Sequence, residues 1–316
     1  MGHKVTIIGS GSVGSTIAYT MAVNGIANEI VMLDINTEKA LGEALDIRQG
    51  LPFCPAATIY AGTYEQAKGS DLVIVTSGMA RKPGQSRLDL AQANVDITKS
   101  IIPDITKYCP DATYLIVANP VDVLTYQFFT TSNLNPKQII GSGTILDTAR
   151  LRARIAEYYK INQQNVHAYV FGEHGDSSFV PWSVANISNI PVDDYASCIT
   201  DKSRLVPPLV HSEVEEYVRK SGGRVIQRKG ATFYAVSISV CHIAKCLFSG
   251  IDTTMTVASM MNGEYGIKDV CLSILSVVGN IGVESKLEVR LTDKEIELLH
   301  HSADCLKTVM HKLNFN

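Results

Sequence analysis

The run Val5-Thr-Ile-Ile8 passes directly into Gly9-Ser-Gly11-Ser-Val-Gly14, and helix-compatible residues, Ser15–Asn24, follow at once. A glycine turn that ends a strand and opens a helix leaves the first helical N–H groups pointing over the sheet edge, where a pyrophosphate can sit. Gly9 permits the tight turn, Gly11 lets the backbone approach phosphate, and Gly14 allows the helix to pack close to the strand. Asp34 closes the next strand-like run, 20 residues beyond Gly14. There its carboxylate suits both hydroxyls of an adenosine ribose and repels a 2′-phosphate, so the pattern predicts NAD rather than NADP. A phosphate-binding P-loop needs Lys after the last glycine; Ser15 occupies that position, which argues against phosphoryl transfer.

The rest of the first half repeats the strand-then-helix order. Strand-like runs at Ile30–Leu33, Ala57–Tyr60, Leu72–Thr76, Tyr114–Val117 and Gln138–Gly141 alternate with helical spacing at Thr37–Gln49, Leu88–Cys109 and Asp122–Thr131. With Val5–Ile8 this predicts an α/β fold, a Rossmann doubly wound parallel sheet of six strands over residues 1–141. Beyond Gly141 the order changes to a helix near Ala149–Tyr158, strands near Val166–Phe171 and Pro181–Ile187, and mostly helices thereafter. This predicts an α+β substrate and catalytic domain over 142–316. Its last helix opens on the capping box Thr292-Asp-Lys-Glu295, with an apolar stripe beginning at Ile296, Leu299 and Cys305.

A chain of 316 residues, 46% hydrophobic, is long enough for each half to bury its own core. The net charge of −3 carries no basic block, which argues against nucleic acid or an anionic membrane surface as partner. No apolar run approaches the ~18 residues of a membrane span. The first strand starts so near Met1 that no leader is expected. The seven cysteines show neither CxxC nor zinc-finger spacing, so no metal site is expected, and they read as reduced core residues of a cytoplasmic protein. The YxxxK spacing at Tyr64–Lys68 occurs in short-chain dehydrogenases, but it precedes the fourth predicted strand and reads as coincidence.

Reduction of a 2-oxo acid by a nicotinamide requires a cation for the carboxylate, a proton donor for the ketone oxygen and an anion that keeps that donor protonated. Residues of all three types fall between 147 and 174. Asp147 and Arg150 are three apart, one face of a helix start, and His174 is set between glycines in Gly172-Glu-His-Gly-Asp176, which suits presentation from a turn.

With these segments the chain resembles the L-lactate/malate dehydrogenase family over essentially its whole length, and within it the bacterial L-lactate enzymes. The resemblance rests on GSGSVG at 9–14, Asp34, ARKPGQSRLDL at 80–90, ANPVD at 118–122, GSGTILDTARLR at 141–152 and GEHGDSSFVPWS at 172–183. It implies that His174 is the acid/base, that Asp147 orients the imidazolium and that Arg150 grips the substrate carboxylate in a bidentate pair. It further implies that Arg87 polarises the ketone oxygen when a loop over Ser77–Ser86 closes, that Asn119 bonds near the same oxygen and the cofactor, and that Thr232 lines the pocket for the C3 group.

Substrate choice within the family turns on one loop position, here Arg81. Lactate enzymes resemble this segment with Gln, whereas malate enzymes have Arg, so Arg81 favours a dicarboxylate such as oxaloacetate. Glu173 and Thr232 resemble the lactate type, and the balance implies pyruvate and L-lactate, with a malate dehydrogenase as the alternative. A non-catalytic NAD-binding protein on the same fold is the remaining reading. Arg152 and His167 match the positions through which bacterial relatives bind fructose 1,6-bisphosphate, implying an allosteric homotetramer.

Overall fold

A computed structural model describes residues 2–79, 87–201, 203 and 206–315. The first half runs β1 (Lys4–Ile8), α1 (Ser12–Asn24), β2 (Glu29–Leu33), α2 (Thr37–Gly50), β3 (Thr58–Ala61), β4 (Leu72–Val75), α3 (Arg87–Tyr108), β5 (Thr113–Ile116), α4 (Val121–Thr131) and β6 (Ile139–Gly141). The second half begins with α5 (Ile145–Tyr159), then β7 (Val166–His167), β8 (Asn186–Ile187), β9 (Ile190–Pro191) and the single turn α6 (Val192–Tyr195). It ends with α7 (His211–Lys229), α8 (Tyr234–Phe248), β10 (Thr253–Asn262), β11 (Lys268–Gly279), β12 (Gly282–Lys286) and α9 (Asp293–Met310).

The main sheet has the order β12-β11-β10-β6-β5-β4-β1-β2-β3. Its last six strands are parallel, so the Rossmann order read from the sequence is present. Successive residues of these strands alternate between two apolar clusters. Leu72 and Ile74 of β4 enter one and Val73 and Val75 the other; in β5, Leu115 faces away from Tyr114 and Ile116. Helices cover both faces, which is why the runs read as continuous apolar stretches rather than alternating ones.

Several expectations for the second half fail. Of the strands expected near Val166–Phe171 and Pro181–Ile187 only Val166–His167 and Asn186–Ile187 form, with Trp182–Val184 a 3-10 turn. Residues 253–286 are not helical but form β10, β11 and β12, an antiparallel extension that meets the parallel sheet where Ala258 of β10 pairs Gly141 of β6. Nor does each half bury a separate core. Val240, Ile243, Ala244 and Leu247 of α8 pack with Ile17 and Met21 of α1, and α9 joins the cluster on the opposite face through Leu299, Ala303 and Leu306. Among the described residues only a third cluster, from Leu151 to Val218, lies wholly beyond residue 141.

The capping box that opens α9 forms as read: Glu295 Oε2 accepts from Thr292 N at 2.8 Å, and Thr292 Oγ1 accepts from Glu295 N at 3.3 Å. The buried stripe then runs through Leu299, Ser302, Ala303, Leu306 and Met310, and Cys305, expected on it, lies off that face and only half-buried. Four of the seven cysteines are buried, all are free, and Cys198 is exposed, contrary to a core role. Among the described residues no helix is long and apolar enough to cross a membrane.

Candidate active site

The chain leaves β1 for β2 and β3 in one direction and returns through β4, β5 and β6 in the other. Between β1 and β4 the carboxyl ends of the strands therefore part, the place where open α/β sheets bind ligands. Gly9 sits at this point with φ of +102°, a region L side chains rarely adopt. Its N–H donates to Leu33 O at 2.7 Å, and Thr76 Oγ1 donates to its carbonyl at 2.9 Å, fixing the turn to both neighbouring strands. A Cβ on Gly14 would run into the Gly9 carbonyl oxygen, so that glycine is needed for close approach of α1. A Cβ on Gly11 would meet nothing within 4 Å. The protein does not itself require glycine at Gly11, and the open space there fits a pyrophosphate. Asp34 Oδ2 accepts from Ser10 N at 2.6 Å and Oδ1 from Asn36 N at 2.8 Å, so the carboxylate is locked beside the turn. Each oxygen keeps a further lone pair suited to a ribose hydroxyl.

One link ties the ends of neighbouring segments together. Asn94 of α3 accepts from Met79 N through Oδ1 at 2.7 Å and donates from Nδ2 to Asn119 O at 2.7 Å. This places exposed Asn119 at the carboxyl end of β5, beside the cofactor crevice.

Asp147 and Arg150 lie one turn apart on α5, and the His174 loop folds back against them. Asp147 shares its two oxygens between two cations. Oδ2 lies 2.6 Å from His174 Nδ1, and Oδ1 accepts from an Arg150 terminal nitrogen at 2.8 Å. A carboxylate only accepts, so Nδ1 carries hydrogen and Nε2 is the nitrogen free to exchange a proton. Asp147 is 7% exposed and Arg150 is half-buried, so this i, i+3 pair is not a fully solvated surface bridge. Burial pushes the His174 imidazole down, but the charge and hydrogen bond of Asp147, reinforced by Asp122, outweigh it and the net shift is upward. Burial pushes Asp147 up, yet His174 first and Arg150 second pull it below the ordinary carboxylate range.

The loop that carries His174 is held from two sides that the sequence did not reveal. Asp122 of α4 accepts from His174 N through Oδ2 at 2.7 Å. Burial raises Asp122 to about 7, although the His174 N–H and the His174 charge oppose the rise. From α9, Ser302 Oγ accepts from Glu173 N at 2.8 Å and lies 2.9 Å from Ser177 Oγ. Ser302 is fully buried within the apolar stripe of α9, and no pattern in the sequence singled it out. Gly172, at φ of +92°, turns the chain beneath it. Glu173 Oε1 folds back to accept from Ser177 N at 3.0 Å.

Of the other residues singled out, Thr232 is half-buried in the connector between α7 and α8. Arg87 is the first residue of α3. Arg81 and the rest of 80–86, most of the expected loop, lie outside the described residues. Arg152 of α5 donates to Gln163 O at 3.4 Å, just before β7, where His167 is exposed.

Comparison with known proteins gives a consistent result. Residues 3–141 match the lactate/malate dehydrogenase NAD binding domain, and residues 144–315 match the lactate/malate dehydrogenase alpha/beta C-terminal domain. The chain is 44% identical over 311 residues to an L-lactate dehydrogenase of Thermoanaerobacterium saccharolyticum, covering 98% of this chain and 99% of the relative. It is 43% identical over 309 residues to an L-lactate dehydrogenase of Clostridium botulinum, covering 98% and 96%. Among solved structures, the ligand-bound minor L-lactate dehydrogenase of Enterococcus mundtii superposes with a TM-score of 0.94 at 35% identity, covering 100% of this chain and 99% of the other.

Proposed function

The chain belongs to the lactate/malate dehydrogenase family, and from that premise we propose that it is an NAD-dependent L-lactate dehydrogenase, reducing pyruvate to L-lactate reversibly. The observation that carries this reading is the pair of bonds by which Asp147 gathers His174 and Arg150 beside the sheet's carboxyl edge. We assign residues 1–141 to cofactor binding and 142–316 to substrate binding and catalysis.

Gly9, Gly11, Gly14, Asp34 and Asn119 would hold NADH, which would supply the hydride for C2 of the substrate. Arg150 has five donors, of which one, among the described residues, is engaged by Asp147; the others suit the substrate carboxylate in a bidentate pair. His174, protonated on both nitrogens, gives the Nε2 proton to the ketone oxygen as C2 is reduced, and Asp147 keeps the ring oriented throughout. Arg87 polarises the same oxygen, Asn119 bonds near it, and Thr232 borders the C3 methyl. In lactate oxidation neutral His174 takes the hydroxyl proton back.

Arg81 supports malate dehydrogenase activity as the second reading, because a cation facing C3 would suit a second carboxylate. The names of the relatives favour lactate. We assign Arg152 and His167 to fructose 1,6-bisphosphate binding in a homotetramer, and the free cysteines fit a cytoplasmic protein. One set of steady-state assays tests all of this: NADH oxidation with pyruvate and with oxaloacetate, with and without the bisphosphate. Pyruvate is expected to give the higher kcat/KM. Faster turnover of oxaloacetate would establish the malate reading, and no turnover of either, in protein that binds NADH, would leave a non-catalytic binder.

A further inference from the structure

Asp122 is 4% exposed, and its two oxygens have different surroundings. Oδ2 accepts from His174 N at 2.7 Å, whereas Oδ1 accepts no hydrogen bond among the described residues. An amide at this position would serve the His174 N–H equally well and would not bury a charge, so holding the loop does not by itself account for a carboxylate. The groups around it supply a reason. His174 and Glu173 face it from the catalytic loop, Asp147 from α5 with Arg150 beyond, and Cys271 from β11 with Lys286 of β12 beyond. Glu173 is turned to the amide of Ser177. The half-buried trio Asp147, Arg150 and protonated His174 carries one excess positive charge, and an ionised Asp122 brings the group to neutrality. In a partly buried site an uncompensated charge is less well solvated than in water, so the second carboxylate favours the protonated ring. Its place in the first turn of α4 suits an anion as well.

We propose that Asp122 is a positioning residue of the proton-transfer centre: it fixes the His174 loop through the main-chain N–H, and its charge acts with that of Asp147 to keep the imidazole protonated. This rests on the acid/base role of His174 given above. The Asp122→Asn enzyme, purified at full length, separates the two parts, since the amide oxygen can accept the same N–H but carries no charge. The measured quantity is the pH dependence of kcat/KM for pyruvate. The upper limb is expected to move down by about half a pH unit or more, with the rising limb of lactate oxidation moving in parallel. A folded Asp122→Asn enzyme whose limbs coincide with those of the parent overturns the proposal, because a merely structural acceptor leaves the limb in place. If that variant does not fold, carbon-13 NMR of aspartate-labelled native enzyme decides instead. Two aspartate carboxyl resonances, rather than Asp147 alone, must inflect in step with the His174 titration, and a single one overturns the proposal. The underlying reading fails separately: a His174→Asn enzyme that keeps turnover and the same limb removes the acid/base role itself, whatever Asp122 does.

Discussion

Asp147 Oδ2 lies 2.6 Å from His174 Nδ1, and this contact sets both the tautomer and the proton affinity of the ring. With His174 as the proposed acid, pyruvate reduction would need the imidazolium, so its kcat/KM should be high at low pH and fall as pH rises through the His174 pKa, which lies above the ordinary histidine value. Lactate oxidation needs the neutral ring and rises through the same pH. In Asp147→Asn, burial is less opposed and both limbs should move to lower pH. Pyruvate turnover at neutral pH should fall about 10²-fold or more. Limbs that stay in place in the folded variant would contradict this.

Asp34 anchors Ser10 N and is the residue we propose as acceptor of the ribose hydroxyls. Asp34→Ser should therefore weaken NADH binding by about tenfold or more and narrow the preference over NADPH, as measured by fluorescence titration with each cofactor. Unchanged discrimination would show that the carboxylate does not face the 2′ position.

Ser302 joins α9 to the His174 loop through Glu173 N and Ser177. Replacing it with Ala leaves a half-buried N–H without its acceptor, at a cost of about 1–2 kcal/mol in denaturant unfolding. Pyruvate kcat should drop while the NADH dissociation constant holds, since the glycine turn is built from other elements. Equal losses in both would refute a local role.

Stability should depend on pH through the same cluster. Asp122 is raised to about 7, so the folded state binds its proton more tightly than the unfolded chain, and stability from this group declines as pH rises through that value. His174 acts in the same sense: its contribution is present below the ordinary histidine value and is lost as pH rises through the raised one. Asp147, lowered, contributes above the ordinary carboxylate value and loses it only in stronger acid. Thermal scans of the apoenzyme should therefore show a lower Tm at pH 8 than at pH 6. Asp122→Asn should raise Tm at pH 8 by about 2–5 °C; an unchanged or lower midpoint counts against a buried charge there.

The glycine turn after β1 was legible because it is local: strand, three glycines and Asp34 all lie within the first 34 residues. Asp147, Arg150 and His174 were legible as residue types and as a family pattern, but their meeting on one carboxylate depends on the loop from β7 returning to α5. Asp122 was not legible as a partner of His174. It lies in the quoted ANPVD segment, yet the bond spans 52 residues, and nothing in the sequence reveals that a carboxylate is buried. The strands β10 and β11 were missed for a related reason. Segments such as Lys-Asp-Val-Cys-Leu-Ser-Ile-Leu-Ser-Val-Val-Gly are covered on both faces, so they lack the alternation that marks a half-exposed strand.

The pairing of Ala258 with Gly141 has a consequence for any dissection of the molecule. A chain cut after Gly141 would leave the backbone groups of β6 open to other molecules, and would strip α1 of the α8 residues that shield it. Such a fragment is expected to self-associate rather than circulate as an autonomous nucleotide-binding unit, because the halves are stitched along one shared ribbon rather than joined by a tether.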